Sequence, residues 1–207
     1  MRSKVINHPL VADRLVRLRD RETPMAAFRA ALDDIAGFLV YEALRSTPTT
    51  RLSIETPVGP ATGMVVDPPP LVVPVLRAGL GMLAAAMRLL PDAEVGFVGL
   101  KRNEATLEPD PYVTTVPPDL AGRRVLVLDP MLATGGSAEH ACRLLADAGA
   151  GLQTLVCVLT APEGLLRLER SGLSVEVVTA SIDRHLDERG FIVPGLGDAG
   201  DRQFGVA

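Results

Sequence analysis

Short apolar runs that alternate with helical segments are the feature that most constrains the fold of this chain. The runs are rich in Val and Leu, which is typical of strands buried on both faces of a parallel sheet. Helices between such strands cover the two faces of the sheet. The sequence therefore predicts an α/β fold with a parallel sheet flanked by helices. The predicted strands are 71–76, 94–100, 124–129, 154–160 and 174–180, and the helices between them are 79–90, 136–148 and 162–170.

Three further segments surround this alternating region. Pro9 and the pair Thr23-Pro24 predict two N-terminal helices, from residue 9 to about 21 and from 25 to 45, because proline is tolerated in the first helical turn. Residues 51–66 contain two short strand-like runs around a Pro- and Gly-containing turn and predict a β-arm. Residues 181–207 fit neither period, and we expect an ordered loop structure, a C-terminal hood over the carboxyl end of the sheet. We expect one domain over residues 1–207.

Composition excludes several classes of protein. The chain has 207 residues, 47% of them hydrophobic, so it can bury a core as one domain. Two cysteines without metal-ligand spacing do not make a disulfide scaffold, and we expect free thiols in a reducing cytoplasm. The net charge of -4 argues against nucleic acid as a partner. The chain has no signal-like N-terminus and no long apolar stretch, so we expect no membrane association.

The segment from Asp129 to Ser137 carries the strongest chemical signal. A buried strand ends at Asp129, and Thr134-Gly135-Gly136-Ser137 then opens a helix. Glycines let backbone N–H groups turn inward as an anion nest, and the helix N-terminus adds its dipole. A carboxylate beside a phosphate site repels the ligand unless it binds hydroxyl groups or a metal-bound water. A sugar phosphate satisfies both parts of this arrangement.

Two neighbouring strand ends carry basic residues. Arg77 follows the strand 71–76, and Arg102 follows the strand 94–100. Ligands of open α/β sheets bind at the carboxyl ends of the strands, so both arginines are expected near the nest and favour a polyanionic ligand.

The segment from Gly79 to Ala84 also fits the dinucleotide-binding pattern G-x-G-x-x-A. A dinucleotide-binding site of this kind requires an acidic residue at the end of the next strand. At that position this chain has the basic residues Lys101 and Arg102.

These segments resemble a known family. VLVLDPMLATGGS resembles the phosphoribosyl diphosphate (PRPP) motif of type I phosphoribosyltransferases. The remaining blocks are similar to those of uracil phosphoribosyltransferases, and they occur in the family's order over nearly the whole chain. They are HPLV (8–11), YEA (41–43), VPVLRAGLGM (73–82), RNEATLEPDPY (102–112), APEG (161–164), TASID (179–183) and PGLGDAGDRQFG (194–205).

The resemblance implies a type I phosphoribosyltransferase fold and transfer of a 5-phosphoribosyl group from PRPP to N1 of uracil, giving UMP and diphosphate in pyrimidine salvage. It implies Mg²⁺ carried by PRPP rather than by a protein metal site, and a GTP effector as in some relatives. The β-arm at residues 51–66 favours a homo-oligomer, a dimer or larger. Arg77, Asp129 and Asp198 are the implied catalytic residues. The implied PRPP contacts are Arg77, Arg102, Asp129, Pro130, Met131, Leu132, Ala133, Thr134, Gly135, Gly136, Ser137 and Asp198, and the implied uracil contacts are Ile192, Gly197, Asp198 and Ala199.

Two alternative functions stay open from the residues. A regulatory protein that keeps the transferase fold and binds RNA requires a basic surface, whereas this chain is net acidic. An NADP-linked oxidoreductase would use the Gly79 pattern and would leave the Asp129 loop without a role.

Overall fold

The computed structural model describes residues 1–102 and 109–205, and of residues 101, 102, 109 and 110 it describes the backbone alone. The helices are α1 (Pro9–Arg19), α2 (Met25–Ala43), α3 (Leu80–Leu89), α4 (Gly136–Asp147), α5 (Pro162–Arg170) and α6 (Ala199–Phe204), and a 3₁₀ turn follows α2. The strands are β1 (Arg2–Val5), β2 (Thr50–Thr56), β3 (Gly59–Val65), β4 (Leu71–Leu76), β5 (Val98–Arg102), β6 (Pro109–Thr114), β7 (Val125–Leu128), β8 (Met131–Leu132), β9 (Gln153–Thr160), β10 (Val175–Ile182), β11 (His185–Leu186) and β12 (Ile192–Val193).

The central sheet of the described residues has eight strands. Its order is β1-β10-β9-β7-β4-β5-β6, and β8 pairs with β9 beyond the end of β7. All neighbouring strands are parallel except β5 and β6, which are antiparallel. The predicted α/β class with a mostly parallel sheet is confirmed. The sheet directs the ends of β4 and β7 to the same edge, which is where the site lies.

Two apolar layers cover the sheet, one on each face. Alternate residues of a strand point to opposite faces, so Val72, Leu126 and Val156 pack towards α1, α2 and α3. The intervening Val73, Val127 and Leu155 pack towards α4 and α5. Covering both faces explains why β4 and β7 are apolar throughout rather than alternating with polar residues.

Several predicted boundaries differ from the observed ones. Helix α1 ends at Arg19 rather than near residue 21, because the Asp20 carboxylate accepts a hydrogen bond from the Glu22 N–H and forms a turn there. The strand predicted over 94–100 begins only at Val98, and before it a single bridge joins Val95 to β4. The apolar run over 94–100 therefore begins before the residues that pair continuously with the neighbouring strands.

Strands β1, β6 and β8 were not predicted. All four residues of β1 are exposed at the sheet edge, so no apolar pattern marks them. Strand β6 contains two prolines, which is tolerated because it is the last strand of the sheet. Strand β8 is only two residues long, and its pairing with β9 is a tertiary contact.

The described residues of both peripheral segments contain regular secondary structure. The region expected to form an arm contains β2 and β3, an antiparallel hairpin that leaves Leu52, Ile54 and Met64 about half exposed. The C-terminal segment, predicted as a loop structure, instead contains the antiparallel pair β11–β12 and the helix α6. Hydrophobic periodicity does not reveal elements this short, because helix caps and ion pairs fix them. No described helix has the length and apolarity needed to span a membrane.

Candidate functional site

A cavity of about 210 Å³ lies at the carboxyl ends of β4 and β7. Its wall is made by residues that follow these two strands and by the first residues of α4. The lining residues are Val75, Leu76, Arg77, Ala78, Asp129, Met131, Leu132, Ala133, Thr134, Gly135, Gly136, Ser137 and Ala138. The structure thus brings together nine of the twelve residues predicted to contact PRPP. Of the other three, Pro130 and Asp198 are described residues outside the cavity lining, and the Arg102 side chain is not among the described parts of the chain.

Asp129 is the carboxylate at the floor of the cavity. It is 8% exposed, and its Oδ1 accepts a 3.3 Å hydrogen bond from the Met131 N–H. Burial raises the pKa of Asp129 to about 7, and the negative charge of Asp198 adds to this increase against the effect of the Met131 bond. A buried acceptor at this position suits the hydroxyl groups of a sugar.

The loop after Asp129 is fixed by the neighbouring strand β9. The Pro130 carbonyl accepts hydrogen bonds from the Val158 and Leu159 N–H groups at 2.9 and 3.0 Å. The Leu132 carbonyl accepts another from the Ala161 N–H at 2.9 Å. Among the described residues, Pro130 does not line the cavity, and the Leu132 side chain is buried in the core. These two residues shape the loop, and the Leu132 side chain offers no polar group to a ligand.

The N-terminus of α4 has the geometry of an anion site. Gly135 precedes the helix in a left-handed conformation with φ of 81°, which glycine adopts without strain. No described side chain caps this helix end, so its first N–H groups face the cavity without an intramolecular acceptor. Thr134 and Ser137 are exposed beside it and add two hydroxyl groups. The residues predicted to form a phosphate nest therefore have the backbone geometry that such a nest requires.

Gly164 in α5 explains why the nest can form. A Cβ atom at Gly164 would lie 2.5 Å from the Ala133 carbonyl oxygen and 2.8 Å from that of Leu132. A Cβ atom at Gly135 would in turn lie 3.1 Å from the Gly164 carbonyl oxygen. The loop and the first turn of α5 are thus in direct backbone contact, and this role of Gly164 was not predicted.

The glycines of the dinucleotide-like pattern have packing roles. A Cβ atom at Gly79 would collide with the Leu128 carbonyl oxygen of β7. One at Gly81 would collide with the Gln203 side chain of α6. Each glycine therefore permits a close contact inside the protein, which accounts for the pattern without a dinucleotide.

Arg77 stands at the cavity rim. Its peptide bond to Leu76 is cis, and its Nη2 lies 3.8 Å from the Asp201 Oδ1 of α6. The side chains of both residues are nearly half exposed, so the pair is open to solvent and to a ligand. Arg102 is the last residue of β5, and its side chain lies outside the described residues, as do residues 103–108 of the RNEATLEPDPY block.

The four residues implied for uracil binding lie in the segment that runs from β12 to the start of α6. Ile192 and Ala199 are buried, whereas Gly197 and Asp198 are exposed. Gly197 has a φ of 82°, and the Asp198 carboxylate caps α6 by accepting a 2.8 Å hydrogen bond from the Asp201 N–H. The Asp201 carboxylate in the first turn of α6 lies 3.8 Å from Arg77 at the cavity rim, so the start of α6 stands beside the cavity.

Three charged residues that the sequence did not single out hold this segment in place. Arg19 and Asp183 form an ion pair with Nη2–Oδ1 at 2.6 Å, and both bind Gly195. Arg202 donates to the carbonyl groups of Leu18, Leu196 and Asp20, and its guanidinium lies 4.4 Å from the centre of the Phe28 ring. The TASID block ends at Asp183 and was the available signal for this contact.

Comparison with known proteins identifies the family. The family model described as uracil phosphoribosyltransferase matches residues 5–206. The chain is 55% identical to the uracil phosphoribosyltransferase of Streptomyces griseus over the full length of both proteins. It is 52% identical to that of Corynebacterium glutamicum, covering 97% of this chain and 95% of the relative.

Solved structures share the fold of this chain. A protein of Aquifex aeolicus superposes with a TM-score of 0.94 at 37% identity, with 99% of each chain covered. The orotate phosphoribosyltransferase of Aeropyrum pernix, at 20% identity and a TM-score of 0.51, shares the fold. The chain therefore belongs to the uracil phosphoribosyltransferase family.

Proposed function

We propose that the cavity binds PRPP and that the segment around α6 presents uracil to it. The chain transfers the 5-phosphoribosyl group of PRPP to N1 of uracil and releases UMP and diphosphate, a reaction of pyrimidine salvage. The observation that carries this proposal is the joint placement of Asp129, the backbone nest at Gly135 and Arg77 around one cavity. One domain over residues 1–207, with residues 181–207 as the hood, is part of the same proposal.

The phosphosugar would lie with its 5′-phosphate at the N-terminus of α4. Backbone N–H groups and the hydroxyl groups of Thr134 and Ser137 supply donors for the phosphate oxygens. Asp129 would accept hydrogen bonds from ribose hydroxyls, which replace the water it loses on burial. Arg77 at the rim would then face the diphosphate, and we assign the same partner to Arg102 from the resemblance.

The reaction breaks the bond between the anomeric carbon and the diphosphate. Negative charge grows on the diphosphate as positive charge grows on the sugar ring, so Arg77 stabilises the transition state more than the bound substrate. Uracil N1 forms the new bond to the anomeric carbon and loses its proton. Asp198 caps α6, whose Asp201 lies beside Arg77 at the cavity rim, and it is our candidate for orienting the base and accepting this proton.

Backbone groups would recognise uracil. One edge of uracil presents an acceptor, a donor and an acceptor, a pattern that peptide N–H and C=O groups complement. The exposed backbone at Gly197 and Asp198 offers such groups, and the buried Ile192 and Ala199 side chains fix its position. A site built in this way distinguishes uracil from cytosine without a dedicated polar side chain.

The described residues fit a Mg²⁺ ion that arrives with the substrate. They contain no group of three metal-ligating side chains, and Asp129 is the one carboxylate in the cavity wall. Mg²⁺ prefers phosphate oxygens and water, so PRPP itself would provide most of its ligands. When bound, the ion neutralises charge on the leaving diphosphate.

The remaining parts of the proposal concern the protein's setting. The exposed apolar side chains of the β2–β3 hairpin support a homo-oligomer, a dimer or larger. The GTP effector is supported by the family resemblance alone. The free thiols of Cys142 and Cys157 are buried, and burial raises the pKa of Cys142 to about 12, so they are unreactive in a reducing cytoplasm.

The deciding experiment offers several bases in parallel. The protein is incubated with PRPP and Mg²⁺ together with uracil, cytosine, orotate, adenine or hypoxanthine, each with and without GTP, and nucleotide products are separated by chromatography. We expect UMP from uracil and no nucleotide from the other bases. Product from a different base, or none from any base, would overturn the proposed site.

A further inference from the structure

The ion pair between Arg19 and Asp183 lies outside the cavity but contacts the proposed base-binding segment. Among the described residues, neither of the two lines the cavity. Arg19 is the last residue of α1, and Asp183 follows β10. Two distant parts of the chain therefore meet at the C-terminal segment.

The carboxylate of Asp183 is bonded through both of its oxygens. Oδ1 accepts from Arg19 Nη2 at 2.6 Å and from Ser181 Oγ at 2.9 Å. Oδ2 accepts from Arg19 Nη1 at 2.7 Å and from the Gly195 N–H at 2.9 Å. The Asp183 N–H donates to the Thr160 carbonyl of β9, so the acid is anchored to the sheet.

Both backbone groups of Gly195 are held by this pair. Its N–H donates to Asp183, and its carbonyl accepts a 2.8 Å hydrogen bond from Arg19 Nη1. Gly195 has a φ of 62°, and a Cβ atom there would collide with the Ile192 carbonyl oxygen. The pair thus fixes a tight turn between Ile192 and Gly197, two of the proposed uracil contacts.

The energetics favour positioning over stability. Burial acts to raise the pKa of Asp183, but its bonds to Arg19, Gly195 and Ser181 outweigh burial and hold the pKa below its usual value. A buried ion pair costs desolvation energy that its attraction largely cancels, so an apolar pair of similar volume is often as stable. The two-pronged geometry of the Arg19–Asp183 pair, however, restricts the orientation of the groups it holds more than an apolar contact does.

We propose that Arg19 and Asp183 are positioning residues for uracil, which set the backbone of Ile192 and Gly197 by clamping Gly195 between them. This inference rests on the proposed function, because it takes these residues as the base site. It predicts that loosening the clamp impairs uracil binding and spares PRPP binding, since the nest at Gly135 has its own supports in β9 and α5.

The test compares Arg19→Lys with wild type. Lysine keeps the charge but cannot bind Asp183 and the Gly195 carbonyl in the same planar geometry. We expect the KM for uracil to rise about tenfold or more, while the KM for PRPP changes by less than about twofold. The matched control is Arg88→Lys, which alters the exposed two-pronged pair between Arg88 of α3 and Asp33 of α2 (3.2 and 2.7 Å); neither of these described residues lines the cavity, and the change should alter neither KM.

A double variant separates positioning from stability. Arg19→Met combined with Asp183→Leu removes both charges together, and we expect it to melt close to wild type and still show the raised KM for uracil. A folded Arg19→Lys enzyme with an unchanged KM for uracil would overturn the clamp, as would equal rises for both substrates. If Arg19→Lys does not fold, the double variant is measured in its place. An unchanged KM for uracil in that variant, or equal rises in the KM for both substrates, would then overturn the clamp. Absence of UMP formation by the wild type would refute the proposed function instead.

Discussion

Replacing Gly164 by alanine tests whether the phosphate nest depends on backbone contact between α5 and the Asp129 loop. The new Cβ atom would lie 2.5 Å from the Ala133 carbonyl oxygen, whereas ordinary contact begins at 3.4 Å. Both neighbouring oxygens belong to the backbone of a loop that β9 also holds, so no flexible side chain can move away. Either α5 or the loop must shift by about 0.9 Å.

The magnitude follows from two opposing effects. Alanine is more favourable than glycine inside a helix by about 0.5–1 kcal/mol. Overpacking typically costs about 1–3 kcal/mol, and a 2.5 Å contact with backbone oxygen belongs in the upper part of that range, so the net loss is about 1–2 kcal/mol. For a chain of this length the melting temperature should fall by about 2–8 °C. Misplacement of the nest by about 1 Å should lower kcat/KM for PRPP by about 10–100-fold.

The assay is initial-rate UMP formation with PRPP varied at saturating uracil, beside thermal unfolding of the same preparations. Gly37→Ala is the matched control, since Gly37 lies within α2 and a Cβ atom there meets nothing within 4 Å. This control should melt about 1–4 °C above wild type and keep its kinetics. A folded Gly164→Ala enzyme with kcat/KM for PRPP within twofold of wild type would refute the packing argument.

Three further predictions concern charged residues of the site. Arg77→Ala should lower kcat by about 10²–10³-fold through loss of charge stabilisation at the diphosphate, and wild-type turnover in steady-state assays would remove Arg77 from the site. Asp198→Asn should lower kcat with uracil by about 10²-fold or more and leave the melting temperature unchanged, because asparagine caps a helix as well as aspartate; an unchanged rate would exclude Asp198 as the base. Asp129 has a pKa raised to about 7, so the native state holds a proton that the unfolded state has lost between about pH 4 and 7. The free energy of unfolding of the wild type should therefore fall as pH rises through that window, by up to about 4 kcal/mol relative to Asp129→Asn. An equal difference in unfolding free energy between the two proteins at pH 5 and pH 8, measured by denaturant titration, would contradict this.

The central fold could be predicted because burial on both faces leaves its mark in the sequence. Strands β4 and β7 are wholly apolar and β9 and β10 are largely so, and each lies within a residue or two of its predicted bounds. Edge strands carry no such mark. Exposed β1 and the proline-containing β6 are strands because of their partners in the sheet, and a single sequence does not encode those partners as a local pattern.

The site, like the fold, has one part that could be predicted from local sequence and one part that could not. The nest was predictable because an acid, two glycines and a hydroxyl residue stand next to one another at a strand-to-helix junction. The clamp at Gly195 was not, because Arg19 and Asp183 are separated by 164 residues and each alone resembles an ordinary surface charge. Their meeting depends on α1 ending at Arg19 and on β10 placing Asp183 beside it. A backbone-borne base site requires such remote supports, because the groups that would touch uracil have no side chain of their own to hold them.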